Sequence, residues 1–245
     1  MLLHFFCLKI SKRRNIMMSG NRGIKRSSSS KNTEDFFITS NETIDILYNS
    51  IYRDRLNVNP NAIVADFACG DGAILNRFKA LAPAISIYGN DIIARIDDEN
   101  IGNYSALDAL AVNATLNEFD SSKDIHLVFN PPFNKSIDIL NMWSEIYKHY
   151  ASVKTMSILM PLRAIEGSSR YKIFERLKPT TILNMMFRPT FWIKEDDHTS
   201  ADAELIFIRN DVKMMKPYKA YFSCVWVVWD KKSNNNETTM KFLWK

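Results

Sequence analysis

The run Ile125-His126-Leu127-Val128-Phe129 is strand-like and is followed at once by Asn130-Pro131-Pro132-Phe133. Two successive prolines cannot extend a sheet ladder, because each lacks an N–H and fixes φ. The chain must therefore leave the sheet here, and it leaves as a rigid shelf at the carboxyl end of a strand. An amide side chain stands before the shelf and an aromatic ring after it. That combination suits a planar group bearing an NH2. The Asn130 side-chain oxygen and the Pro131 carbonyl can accept its two hydrogens, while Phe133 covers its flat face. The same tetrapeptide also serves as an ordinary strand-to-helix turn, since Asn-Pro often starts turns. The rest of the chain decides between the two.

Upstream, Ala62 to Asp66 reads as a strand that runs into Phe67-Ala68-Cys69-Gly70-Asp71-Gly72, followed by the helical pattern Ile74, Leu75, Phe78, Leu81. Two glycines one residue apart allow backbone to approach a ligand closely at a strand-to-helix junction. The third glycine of a dinucleotide fingerprint is missing. Asp66, at the strand end, suits a ligand with an ammonium group. A second strand-like run, Ile85 to Gly89, ends at Asn90-Asp91, where an acid can bridge two ribose hydroxyls. Strands alternating with helical patterns predict an α/β fold with a parallel sheet, helices on both faces and ligands at the carboxyl ends of the strands.

Together these motifs resemble the class I S-adenosylmethionine-dependent methyltransferases, and within them the DNA adenine-N6 methyltransferases that carry an (Asn/Asp)-Pro-Pro-aromatic motif. The resemblance covers residues 36–210. It implies a Rossmann-like, mainly parallel seven-stranded sheet with the last strand antiparallel, and S-adenosylmethionine as cofactor. It implies that Asn130, Pro131, Pro132 and Phe133 form the catalytic motif, and that Asp66, Ala68, Gly70 and Gly72 lie in the cofactor loop. Phe67 stands where the family often has proline. Asp91 matches the ribose acid, and Asp108 the acid that contacts the cofactor's adenine. Phe37 and Thr39 match an upstream Phe-x-Thr-Pro element along the cofactor's methionine part, with Ser40 in place of the proline. Arg188-Pro189-Thr190-Phe191 resembles a late motif whose aromatic borders the target-base pocket; a buried strand-end Phe191 is an equal reading. The implied partner is DNA with its adenine flipped out of the duplex. The same shelf also serves RNA adenine-N6 and protein glutamine-N5 methylation, and a catalytically silent nucleic-acid-binding subunit is the reading from another class.

Charge is unevenly spread. Residues 1–33 carry +8, residues 34–152 carry −9 and residues 153–245 carry +6, within a net +5. A polyanion is drawn to the tail and the C-terminal half, not to the cofactor half. Residues 1–33, with the serine run at 27–30, read as a disordered basic tail; residues 34–245 read as one methyltransferase domain with a small C-terminal extension. Three scattered cysteines argue for a reducing, intracellular compartment, wherever the DNA is. Four scattered histidines show no metal-ligand spacing, and no apolar run is long enough to span a membrane.

Further expectations concern local structure. Thr39 to Glu42 reads as a capping box opening a helix that buries Ile44, Leu47, Tyr48, Ile51 and Tyr52. Ser136 begins a helix burying Ile137, Leu140, Trp143 or Ser144, and Tyr147. Val153 to Leu162 reads as a buried strand, and Thr180 to Phe187 as a strand partnered by Ala203 to Ile208. Tyr221 to Trp229 is either the seventh strand or an added eighth, with Trp226 and Trp229 as core. Target choice is expected to rest on loops 163–170 and 188–202, with the C-terminal segment as a further candidate.

Overall fold

The computed structural model describes residues 37–91, 104–105, 122–133, 136–192, 205–209, 212–215, 218–219, 222–233 and 237–244. Its main sheet contains eight strands. These are β2 (Ile63–Asp66), β3 (Ser86–Asn90), β4 (Tyr104–Ser105), β5 (Ile125–Phe129), β6 (Val153–Pro161), β7 (Thr181–Met185), β12 (Cys224–Asp230) and β13 (Thr239–Leu243). They lie in the order β13-β7-β12-β6-β5-β2-β3-β4. β12 is antiparallel to both of its neighbours, and every other pairing is parallel. The α/β, Rossmann-like reading holds. The order reverses between β2 and β5, which is where such sheets bind ligands.

The apolar run read at 221–229 thus supplies the seventh strand, β12, inserted between β6 and β7. The eighth is β13, which the sequence reading treated only as a C-terminal extension. The expected pairing of Thr180–Phe187 with Ala203–Ile208 is corrected: β7 pairs with β12 and β13. The strand β9 (Leu205–Arg209) instead makes a separate antiparallel pair with β10 (Val212–Met215). Adjacency in sequence misled here, because β12 supplies the longer apolar run and takes the central slot.

Alternate residues of each strand enter different cores, as the two-residue period of a strand requires. Ala65, Leu127, Phe129, Ile158 and Val227 pack with Leu140, Trp143 and Tyr147 of α4 (Ser136–His149) and Ile173 of α5 (Ser168–Arg176). Val64, Val128, Leu159, Trp226 and Val228 pack on the opposite face. There they meet Ile74, Leu75 and Phe78 of α3 (Ala73–Leu81) and the helix of residues 41–58. Trp226 and Trp229 are core, as expected.

The helix of residues 41–58 has three parts: α1 (Asn41–Leu47), a π-helical turn at Tyr48–Tyr52 and α2 (Arg53–Val58). Its buried residues Ile44, Tyr48, Tyr52 and Leu56 recur every four positions. A 3.6-residue turn lets such a stripe drift round the helix, and the wider turn at 48–52 returns Tyr52 to the sheet. Ile51 is accordingly only half-buried. The expected capping box is also corrected. Ser40 is the N-cap and bonds the Thr43 hydroxyl (3.0 Å), while Thr39 belongs to β1 (Ile38–Thr39). β1 and β11 (Tyr218–Lys219) both pair antiparallel with β8 (Thr190–Trp192), forming a second small sheet. Tertiary pairing claimed Thr39 for a strand and moved the helix start by one residue.

Towards the amino ends of the strands lies a buried polar chain. His126 Nδ1 is 2.8 Å from the Thr155 hydroxyl, which is 3.0 Å from the Tyr52 hydroxyl; the latter reaches Ser157 at 2.7 Å. Burial, followed by the charge of Arg55, pushes the His126 pKa down to about 4. In the unfolded chain a histidine titrates near 6.5. Between these values only the unfolded chain takes up the proton, so stability is lost as pH falls from about 6.5 through about 4. The full effect is about 3 kcal/mol. Urea unfolding across this range is expected to show that loss and His126→Gln to flatten it; an unchanged slope in the variant would contradict the assignment.

Candidate active site

β2 ends at Asp66, whose side chain is buried and accepts a hydrogen bond from the Ala68 amide (3.0 Å). Phe67 stacks on Trp143 with centroids 4.4 Å apart. That core role accounts for an aromatic at a position where the resembled family often has proline. The chain then turns through Gly70 and Gly72, with φ of 56° and 78°. This left-handed backbone is open to glycine at little cost. Gly72 is also the N-cap of α3.

Asp91 follows β3 directly. Its Oδ2 accepts the Gly70 amide at 2.7 Å, and the Cys69 amide donates to the Asn90 carbonyl at 3.0 Å. One carboxylate oxygen of Asp91 therefore holds the glycine loop. Burial raises the Asp66 pKa well above the ordinary carboxylate range, and the nearby charge of Asp91 adds to this. No cation pairs with Asp66 among the described residues. Two buried acids on adjacent strand ends form a place where a cationic, hydroxyl-bearing ligand is favoured.

The shelf after β5 stands beside this loop in the sheet order, since β5 and β2 are neighbours. The Asn130 Nδ2 donates to the Thr39 hydroxyl (3.1 Å) and to the Phe37 carbonyl (3.4 Å). A carbonyl can only accept, so this contact settles which end of the amide faces it. The Asn130 Oδ1 is left buried with no hydrogen-bond partner among the described residues. Such an orphan acceptor costs stability unless something donates to it. The Ser136 hydroxyl donates to the Phe133 carbonyl at 2.9 Å, tying the shelf to the start of α4.

Three phenylalanines among the described residues gather round the Phe133 ring of the shelf. The Phe133 ring lies 6.1 Å from Phe37, 6.2 Å from Phe191 and 5.5 Å from Phe222, and Phe37 lies 5.7 Å from Phe191. Phe191 is buried, whereas Phe37, Phe133 and Phe222 are half-buried. The Arg163 guanidinium stands 5.4 Å over the Phe222 ring. Phe222 carried no site assignment in the sequence, although it lies within the apolar run at 221–229, two residues before β12. The Leu162 amide's bond to the Ser223 carbonyl (2.8 Å) brings the loop after β6 and the start of β12 together.

Thus the fold gathers Asp66, Ala68, Gly70, Gly72 and Asp91 in one loop cluster. It gathers Asn130, Pro131, Pro132, Phe133, Phe37 and Thr39 in another at the neighbouring strand end. The sequence reading assigned Phe37 and Thr39 to the cofactor; here both hold the Asn130 amide. Asp108 and residues 193–202 lie outside the described residues. Among the described residues no group of His, Cys, Asp or Glu is arranged to hold a metal, and no helix is long and apolar enough to cross a membrane.

No family model matches this chain, and no curated protein matches it in sequence. Solved structures do resemble it. A Pyrococcus horikoshii protein described as an RNA methyltransferase aligns at 13% identity and TM-score 0.48, over 83% of this chain and 91% of that one. The 23S rRNA methyltransferase ErmE aligns at 12% and 0.44, over 80% and 70% respectively. A precorrin-6y C5,15-methyltransferase from Geobacter metallireducens aligns at 12% and 0.41, over 82% and 93%. Likeness at this level leaves the chemistry to be read from the site itself.

Proposed function

We propose that this chain transfers a methyl group from S-adenosylmethionine to the exocyclic N6 amine of adenine in DNA. The observation that carries the reading is the buried, unpaired Asn130 Oδ1, aimed by the Thr39 and Phe37 bonds to the other end of the amide. S-adenosylmethionine, when bound, supplies an electrophilic methyl on a sulfonium. The residues present fit it. Asp66 would offer a carboxylate to the ammonium, Asp91 would hold the ribose hydroxyls, and the glycine turn would let backbone lie close to the ligand.

An adenine amine is a poor nucleophile because its lone pair is delocalised into the ring. Asn130 Oδ1 and the Pro131 carbonyl accept its two hydrogens and draw the pair out of conjugation. The same fixed dipoles stabilise the positive charge that develops on nitrogen. No strong base is needed before transfer, and His126 sits at the other end of β5. An adenine flipped from the duplex loses its stacking, which the half-buried Phe133 replaces. Arg163, exposed at the edge of the aromatic cluster, is suited to a backbone phosphate.

Labelled methyl transfer to DNA, RNA and a glutamine peptide, offered in parallel, tests the substrate. N6-methyladenine in digested DNA is expected. Transfer confined to RNA or peptide would overturn the DNA reading, and cofactor binding without any transfer would favour the silent subunit. Asp66 adds a pH signature. Its raised pKa means that ammonium binding must draw it into the charged form, so S-adenosylmethionine affinity is expected to fall as pH falls through that pKa. Asp66→Asn should remove the dependence and weaken binding at neutral pH; calorimetry across pH would expose a variant that behaves like the parent.

A further inference from the structure

β13 forms the outer edge of the eight-stranded sheet and runs parallel to β7. The Thr239 amide donates to the Thr180 carbonyl (3.0 Å), and the Leu243 carbonyl accepts from the Met186 amide (2.8 Å). Bonding groups of successive strand residues point to alternate sides. Thr239, Lys241 and Leu243 therefore face β7, while the N–H and C=O of Met240 and Phe242 point outward, without partners among the described residues. These outward residues also bear exposed apolar side chains. Met240 is 42% exposed and Phe242 55%, and the following Trp244 is 72% exposed. Leu243 packs into the core shared with Trp226, so the even-numbered residues project from the other face of the sheet. Sheet edges of this kind are normally blunted by charge, proline or a covering element, because they template pairing with another chain.

We propose that β13 pairs with β13 of a second copy of this chain, as a twofold antiparallel ladder centred on Phe242. The strand is complementary to itself about that residue. Phe242 then stands opposite Phe242 of the copy, Met240 opposite Trp244, and Lys241 opposite Leu243. The outward N–H and C=O groups of Phe242 are exchanged as a bonded pair, and the facing side chains make aromatic and Met–aromatic contacts. Moving the twofold to Lys241 sets two ammonium groups against each other, which is destabilising. Charge therefore disfavours that alternative register. The contact is isologous and closes at two copies.

The pairing has a geometric consequence. β12 is antiparallel to both β6 and β7, so β13 runs in the same direction as β7, β6, β5 and β2. An antiparallel copy presents the carboxyl ends of its strands at the opposite rim of the joined sheet. The two proposed sites therefore open in opposite directions.

Sedimentation of the full chain from low to high micromolar concentration is expected to show a dimer, and Phe242→Glu a monomer with unchanged methyl transfer per chain. In a Cys7→Ser background, Phe242→Cys is expected to link to its copy under mild oxidation while Lys241→Cys does not. A bonded antiparallel pair spaces its Cα atoms by about 5.5 Å, within disulfide reach. A parent monomeric at every concentration, a dimer that survives Phe242→Glu, or Lys241→Cys linking in preference to Phe242→Cys would overturn the proposal. The cross-linking pair keeps the register testable should Phe242→Glu fail to fold. The sedimentation and cross-linking readouts do not depend on which substrate is methylated.

Discussion

Asn130→Ala is expected to bind S-adenosylmethionine and DNA much as the parent does, yet to lose methyl transfer by roughly 10²- to 10³-fold, the scale for removing one preorganised polar contact from a transition state. The ground for this is the position of Oδ1. It is already buried and unsatisfied, so the folded chain carries the desolvation cost before substrate arrives. A donor whose hydrogens grow more acidic as nitrogen becomes positive gains most from it at the transition state, and only such differential binding raises turnover. Loss of kcat with little change in apparent affinity is the signature to look for. Thr39 gives a graded companion. Thr39→Val removes one of two bonds orienting the amide and should cost about tenfold, equivalent to about 1.4 kcal/mol and in keeping with one hydrogen bond. Thr39→Ser should restore most of it. Normal turnover by Asn130→Ala would remove the catalytic assignment altogether, whereas a Thr39→Val defect seen in cofactor affinity alone would return Thr39 to the cofactor site.

Gly70→Val should abolish useful cofactor binding while leaving the sheet folded. At φ of 56° a β-branched residue is strained by about 1–3 kcal/mol. Relieving that strain pulls the Gly70 amide from Asp91, a bond to a charged group worth about 1.5–3 kcal/mol. Together these imply an affinity loss of about a hundredfold or more. The loop lies at the rim, with the strands and α3 packed beneath it, so far-ultraviolet circular dichroism and cooperative unfolding should persist. Unchanged affinity in a folded Gly70→Val protein would show that the ligand does not approach this turn.

Much of this protein was legible before any coordinates. The Gly70/Gly72 turn, the acids at Asp66 and Asp91 and the shelf at Asn130–Phe133 each combine a local backbone demand with a side chain at a strand end. Local demands are written residue by residue: proline stops a ladder wherever it stands, and glycine permits a left-handed turn. The α/β class followed in the same way, from strand-like and helix-like periods taken in alternation. What the chain alone could not decide was pairing across long separations. Thr39 looked like a helix cap until β1 met β8, about 150 residues away, and its hydroxyl was needed by Asn130. Thr180–Phe187 looked like the partner of Ala203–Ile208 until the longer apolar β12 took the place beside it. Phe222 carried no motif and joined the aromatic cluster only because the Leu162 amide bonds the Ser223 carbonyl. The amide of Asn130 has two ends that sequence cannot tell apart. Only the Phe37 carbonyl, an obligate acceptor brought alongside by the small sheet, fixes which end is the nitrogen and leaves the oxygen buried without a partner among the described residues.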